Sequence, residues 1–199
     1  MIALWLLLAY LAGAIPTSFL VARLAGKDLR AFGSRNLGAT NLYRMLGLKA
    51  AVPVGLFDVA KGTVPVLLAV RGGGPAWWPY AIGVAAVLGH VFSPFVGFKG
   101  GKGVATAAGV FLALAPGSLG VGAVIWGGVV YASGYVSLGS MLAAAAFAVS
   151  VPLLYPGRTE LLLAGIAVCV FVVFTHRANI RRLRAGTEAR FGHHRAPSA

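Results

Sequence analysis

The residues in this sequence that could do chemistry gather in a few short stretches. The first is FGSRNLGATN, residues 32–41, followed by LYRMLG with Arg44. Gly33 and Gly38 can turn backbone N–H groups toward a bound group, and Thr40 or Asn41 can cap the helix that follows. A helix N-terminus with its positive dipole end then stands at the loop, and Arg44 lies one turn in. These parts suit an anion, most simply a phosphate. An ordinary Gly/Asn-rich turn with a helix cap uses the same residue types.

The second stretch is GHVFSPFVGFKGGKGVAT, residues 89–106. Gly97, Gly100, Gly101 and Gly103 surround Lys99 and Lys102, and the run opens a helix at Val104. Backbone N–H groups, a helix start and a cation again converge, which favours phosphate. It is not a nucleotide-hydrolysing P-loop: the spacing fails, and Gly103 stands where a Mg²⁺-binding Ser or Thr is needed. His90 reads as a buried, hydrogen-bonded residue in preference to a base. In FDVAKG, Asp58 and Lys61 are three apart on one helix face. Both lie in an apolar stretch, where ionisable groups are costly and are paired or functional. A site role and a structural ion pair locking two helices both fit. In FTHRANIRRLRAG, residues 174–186, His176 and Asn179 share a face where a helix leaves the membrane. They could bind a hydroxyl-bearing substrate or move a proton. Arg181, Arg182 and Arg184 read as a basic anchor beside the membrane.

The elements that must position these residues are set by composition. The chain has 199 residues, 59% hydrophobic and 11% charged, with mean hydropathy +0.86. A soluble domain is far more charged. Seven membrane-spanning helices are expected, at about 2–22, 50–70, 77–96, 104–115, 119–131, 136–154 and 160–174. Residues 104–131 could instead be one kinked span, since Ala115, Pro116 and Gly117 form a turn signal between two short segments. The first segment has the Ala12-Gly13-Ala14 look of a cleavage site but no basic leader, and reads as a retained helix. A single domain over 1–199 is expected, with 190–199 a flexible polar tail in which His193 and His194 have no specific role. Cys169 is the only cysteine, so there is no internal disulfide and no thiolate metal cluster.

Net charge is +13, yet no aromatic-basic RNA motif accompanies it, which argues against nucleic acid as a partner. The charge reads as topology. With seven spans, one side holds 23–49, 99–102 and 177–199, with fourteen of the seventeen Lys and Arg. Arg71 and Arg158 lie opposite, and Lys61 lies within a span. By the positive-inside rule the rich side is cytoplasmic, the N-terminus is outside and the C-terminus inside.

In GSRNLGATN, DVAKG, GHVFSPFVGFKGGKGVAT and HRANIRRLRAGTEARF the sequence resembles the bacterial membrane acyltransferases that use acyl phosphate to acylate glycerol 3-phosphate, the PlsY family. The motifs occur in order over nearly the whole chain. Arg35 departs from the family, which often has glycine there. The resemblance implies an all-α bundle of seven helices in the bacterial inner membrane with a cytoplasm-facing site. It implies long-chain acyl phosphate and glycerol 3-phosphate as substrates and lysophosphatidic acid as product. It also implies no coenzyme A or acyl carrier protein as direct donor, no cofactor and no metal. Carried over by motif, Ser34, Arg44 and Lys102 contact substrate phosphate, and His176 and Asn179 the glycerol part. Gly33, Asn36, Gly38, Thr40 and Asn41, with Asp58, Lys61, His90, Gly100, Gly101 and Gly103, line and shape the substrate site.

What the sequence lacks agrees with that chemistry. The other glycerol 3-phosphate acyltransferases resemble H-x-x-x-x-D enzymes, but the residues five beyond His90 and His176 are Phe95 and Arg181. An acyl phosphate is already activated, so holding two anions and aligning a hydroxyl with a carbonyl is the main task. No His, Asp or Glu lies near Ser34 between Leu29 and Met45, so Ser34 reads as a hydrogen-bond donor to phosphate and not as an acylated nucleophile. A transporter of phosphorylated anions would also use Gly-rich loops and intramembrane charges, but no internal repeat is visible and the clusters gather on one face. A scaffold holding anionic lipid with its basic tail leaves the first two stretches unexplained.

Overall fold

The computed structural model describes residues 2–192; His193, His194 and the rest of the expected polar tail lie outside them. Among the described residues the chain is all helix, with no strand. The helices are α1 (Ile2–Ala14), α2 (Thr17–Leu24), α3 (Ala39–Leu46), α4 (Leu48–Arg71), α5 (Trp78–Val91), α6 (Val104–Leu114), α7 (Pro116–Ser133), α8 (Val136–Leu154), α9 (Thr159–Thr175) and α10 (Arg177–Arg184), with one 3₁₀ turn at Pro94–Val96. Two compact units divide them, Met1–Leu114 and Ala115–Ala199.

Most expected spans appear within a few residues of their helices, and two differ in kind. The expected span 2–22 is broken into α1 and α2, because Pro16 has no N–H to continue the ladder and restricts Ile15 before it. The helix leaving the membrane after residue 174 is broken too: α9 and α10 meet at a bend of 58° with His176 between them. By length and composition four stretches can cross a membrane, Ile2–Leu24, Leu48–Arg71, Trp78–Val96 and Val136–Leu154, and the bent α9–α10 pair makes up to five. Residues 104–131 form two helices, of which α6 is apolar but only 11 residues long.

In the first unit, small residues let helices touch backbone to backbone. A Cβ built on Gly62 of α4 would meet the Thr106 carbonyl oxygen at 2.1 Å, and one on Gly109 of α6 would meet the Val59 carbonyl at 2.0 Å. Gly13 of α1 faces the Ala86 carbonyl at 2.0 Å, and Gly89 of α5 faces the Tyr10 carbonyl at 2.0 Å. Each pair is reciprocal, so α4 packs on α6 and α1 on α5 at a separation that only glycine permits. Thr63 adds a hydroxyl bond to the Gly109 carbonyl at 2.9 Å. The link between α2 and α3 is anchored by an apolar cluster of Ala22, Leu29, Leu37, Leu42 and Val54.

In the second unit α7 packs on α8 and α8 on α9. Gly122 lies against the Ala143 carbonyl and Gly139 against that of Trp126, both 3.2 Å from a built Cβ. The chain beyond α10 returns to this unit: the Phe191 N–H donates to the Gly134 carbonyl at 2.7 Å. Residues 190 and 191, expected to belong to a flexible tail, are therefore tied down.

Candidate active site

The loop before α3 is built by one side chain. Asn41, 1% exposed, donates from Nδ2 to the carbonyls of Phe32 at 3.0 Å and Leu29 at 3.3 Å. Its Oδ1 accepts the Ser34 N–H at 3.1 Å. The expected cap is therefore corrected: Gly38 is the N-cap of α3 with no side-chain bond, and Asn41 reaches back to staple the loop. Its amide is committed to backbone, so it acts by holding Ser34 in place. Gly33 is needed twice, for its φ of 56° and because a Cβ there would meet Asn41 Oδ1 at 2.6 Å. Arg35 has φ 59°, a left-handed conformation that favours glycine. At the loop's root Asp28 accepts from Arg30 Nη2 at 2.8 Å and lies 3.4 Å from Arg23. The Arg30 hydrogen bonds push its pKa down to about 2. Ser34, Asn36, Thr40 and Arg44 are half-buried.

Asp58 and Lys61 are buried, at 2% and 6% exposure, and turn inward. Lys61 Nζ is 2.8 Å from Asp58 Oδ1 and donates to the Ile15 carbonyl at 2.9 Å. The Thr17 hydroxyl donates to Asp58 at 3.3 Å, and Ser93 Oγ to the Ala14 carbonyl at 2.5 Å. The Ala14 and Ile15 carbonyls lie at the Pro16 break, where the Thr17 N–H already serves that of Ile15 at 3.0 Å, so this cluster completes the bonding of the broken helix. The ion pair braces the fold at the break between α1 and α2.

The glycines of the Lys102 loop serve close approach, a correction to their expected use as an anion cradle. The Gly100 N–H donates to the Val91 carbonyl at 2.9 Å and the Gly101 N–H to the His90 carbonyl at 3.1 Å. A Cβ on Gly100 would meet the His90 carbonyl at 2.0 Å, and one on Gly101 the His90 ring at 2.1 Å. Gly103, with φ 80°, makes the turn into α6. Buried His90 stands between this loop and Asp58, with Nδ1 3.9 Å from Oδ1. The loop is thus clamped to the end of α5, and half-buried Lys102 projects from a fixed backbone.

In the second unit His176 and Asn179 are both buried, at 3% and 4% exposure. His176 Nδ1 is 2.8 Å from the Val172 carbonyl. A carbonyl only accepts, so Nδ1 carries a hydrogen in this contact. Asn179 Nδ2 donates to Glu188 Oε1 at 2.6 Å. Ser137 Oγ donates to the same oxygen at 2.7 Å, and Arg182 Nε to Oε2 at 2.6 Å. Glu188 was not among the expected site residues, yet it orients Asn179 and ties α10 to α8. Burial alone raises its pKa, but the bonds from Asn179, Ser137 and Arg182 outweigh that and hold it below the ordinary 4.5. Because the folded value is the lower one, this stabilisation is complete above pH 4.5 and is lost as pH falls through the folded pKa. Thermal unfolding in detergent at pH 7 should show Glu188→Gln less stable than the parent, and the gap should close as pH falls below 4.5 through the folded pKa. A gap that persists unchanged at low pH means the carboxylate charge contributes nothing.

Among the described residues no group of three His, Cys, Asp or Glu side chains gathers so as to hold a metal ion. The architecture matches solved membrane enzymes. The glycerol 3-phosphate form of PlsY, an integral membrane glycerol 3-phosphate acyltransferase, superposes with TM-score 0.91 at 40% identity, covering 96% of each chain. Its lysophosphatidic acid form gives 0.88 at 38%, covering 96% of this chain and 95% of that one. Sequence relatives named glycerol-3-phosphate acyltransferase include one from Geobacter sulfurreducens, 49% identical over 92% of this chain and 94% of its own. Another from Deinococcus radiodurans is 45% identical over 94% of each. The family model described as Glycerol-3-phosphate acyltransferase matches residues 3–186. With the motifs, the helical membrane fold and relatives of near-equal length all agreeing, the chain belongs to the glycerol-3-phosphate acyltransferase family of multi-pass membrane proteins.

Proposed function

We propose that the protein transfers the acyl group of a long-chain acyl phosphate to the sn-1 hydroxyl of glycerol 3-phosphate, giving 1-acylglycerol 3-phosphate and phosphate. The observation that carries this reading is the likeness to solved relatives in two forms, one with glycerol 3-phosphate and one with lysophosphatidic acid. Those ligands differ by one acyl group. The hydroxyl oxygen attacks the acyl carbonyl carbon, the carbon–oxygen bond to phosphate breaks, and phosphate leaves with the electron pair. The hydroxyl proton goes to His176 Nε2 or to a phosphate oxygen. Ser34, Arg44 and Lys102 hold phosphate oxygens as hydrogen-bond donors and cations. His176 and Asn179 handle the glycerol part. Neither metal, coenzyme A nor acyl carrier protein takes part, and an activated donor makes a covalent enzyme stage unnecessary.

Purified protein in detergent with acyl phosphate and glycerol 3-phosphate should form lysophosphatidic acid. The rate should be insensitive to chelator and should vanish when acyl-coenzyme A replaces acyl phosphate. Intact-mass analysis after acyl phosphate alone should show no adduct. Product from acyl-coenzyme A at a comparable rate sinks the donor assignment. Arg44→Lys should raise KM for glycerol 3-phosphate by about tenfold, because an ammonium cannot grip phosphate with two parallel bonds. Unchanged KM and kcat remove Arg44 from the site.

The proposed setting is one domain of seven spans in the bacterial inner membrane, with the C-terminus and the site facing the cytoplasm. The charge bias supports it. With Cys169 replaced, cysteines placed at Lys49 and Arg184 should both resist an impermeant thiol reagent in intact cells. Labelling of either one breaks the orientation.

A further inference from the structure

The far end of α7 carries a cavity of about 520 Å³ that the proposed reaction does not use. Trp126, Gly127, Tyr131 and Ser133 of α7 line it together with Arg190 and Phe191. Its size suits a small polar group with part of an apolar tail. Arg190 is fixed there. Its Nε donates to the Tyr135 hydroxyl at 3.3 Å, and its guanidinium lies 5.3 Å from the centre of the Tyr135 ring. Gly134, with φ 75°, admits the returning chain, since a Cβ there would stand 3.1 Å from the Arg190 Cβ.

These contacts use Nε and the face of the guanidinium. Its two terminal amino groups have no acceptor among the described residues. The nearest carboxylate in sequence, Glu188, is already taken by Asn179, Ser137 and Arg182. The Trp126 indole N–H also has no acceptor among the described residues, and no carboxylate lines the cavity. The exposed polar groups at this cavity that have no partner among the described residues are therefore donors, and one carries charge. They suit an anion rich in acceptor oxygens. The surroundings say which kind: Tyr131 is 95% exposed and Val124, two turns earlier, is 75% exposed. On an apolar helix of a membrane protein, such a face ending in Trp, Tyr and Arg suits the lipid–water interface.

We propose that this cavity binds the headgroup of an anionic phospholipid. Arg190 takes phosphate oxygens through its terminal amino groups, Trp126 donates to an ester or phosphate oxygen, and an acyl chain lies along Gly127 and Val130. Lipids with a cationic headgroup are disfavoured, because no carboxylate in the cavity receives the cation and Arg190 repels it.

Native mass spectrometry of the full chain, released from mild detergent with equal phosphatidylglycerol and phosphatidylcholine, tests this. The parent protein should retain phosphatidylglycerol preferentially. Arg190→Gln should reduce that preference about fivefold, the factor expected for one arginine at an anionic surface. Trp126→Phe, which keeps the ring and removes the N–H, should reduce it by a smaller factor, and Arg184→Gln, on exposed α10, should leave it unchanged. No preference in the parent, or an unchanged preference in the Trp126 and Arg190 variants, overturns the proposal. If Arg190→Gln does not fold, the Trp126 variant decides alone. Displacement of the lipid by inorganic phosphate also overturns it, because the cavity then answers to the free anion.

Discussion

Lys102→Ala is expected to lower kcat/KM for glycerol 3-phosphate by about a hundredfold to a thousandfold while leaving the protein folded. The factor follows from the ~3–4 kcal/mol lost when a partly desolvated anion is left without its cation. The backbone at this position is clamped on both sides. Gly100 and Gly101 are bonded to the end of α5, and Gly103 turns the chain into α6. Removing the side chain therefore deletes a charge without loosening the loop that carries it. An unaltered melting temperature alongside the fallen rate is the expected pair of readings. A kcat/KM within about threefold of the parent, too small a loss for a phosphate-binding cation, would mean the motif is only a helix start.

Lys61→Met should fail in a different way, by loss of folded protein. Asp58 is 2% exposed and keeps only the Thr17 hydroxyl as a hydrogen-bond donor once the ammonium is gone, while the Ile15 carbonyl loses its charged donor and keeps only Thr17. Breaking a buried pair by removing one partner costs about 3–5 kcal/mol, a large share of the roughly 5–15 kcal/mol that holds a domain together. Adding Asp58→Asn removes the stranded charge, so the double variant should recover part of the folded yield and part of the activity. Detergent-solubilised yield and specific activity of the folded fraction separate the cases. A Lys61→Met protein that folds at parental yield yet does not turn over would make Lys61 a chemical residue and sink its assignment as a brace.

The sequence is legible where one physical cause dominates. The need to hide backbone polar groups from lipid makes apolar runs into helices, and α4, α6, α8 and α9 begin and end within a few residues of the expected limits. It is less legible where one residue type answers two needs. A glycine that cradles an anion and a glycine that lets a loop touch a helix look alike in a string of letters, and Gly100 and Gly101 prove to be the second kind. An asparagine in the first turn of a helix can bond forward as a cap or backward to a loop, and Asn41 bonds backward. Asn179 and Glu188 meet across the turn after α10, at a spacing that no helical period suggests. The break at Pro16 has a visible cause, but apolar residues on both sides make α1 and α2 read as one segment.

The partners of α1 lie far along the chain, and that sets an order of assembly. Gly13 packs on Ala86, and the Ala14 and Ile15 carbonyls are bonded by Ser93 and Lys61. A chain made at about 5–20 residues per second reaches Ser93 roughly 4–16 s after Ala14. For that interval the first hydrophobic segment sits at the membrane with the Ala14 carbonyl bare, several kcal/mol out of place in hydrocarbon, and the Ile15 carbonyl served only by neighbouring Thr17. It must wait where water can reach the break, at the wall of the insertion machinery or near a bilayer surface. It can sink to its final depth only when α4 and then α5 arrive with the groups that close it.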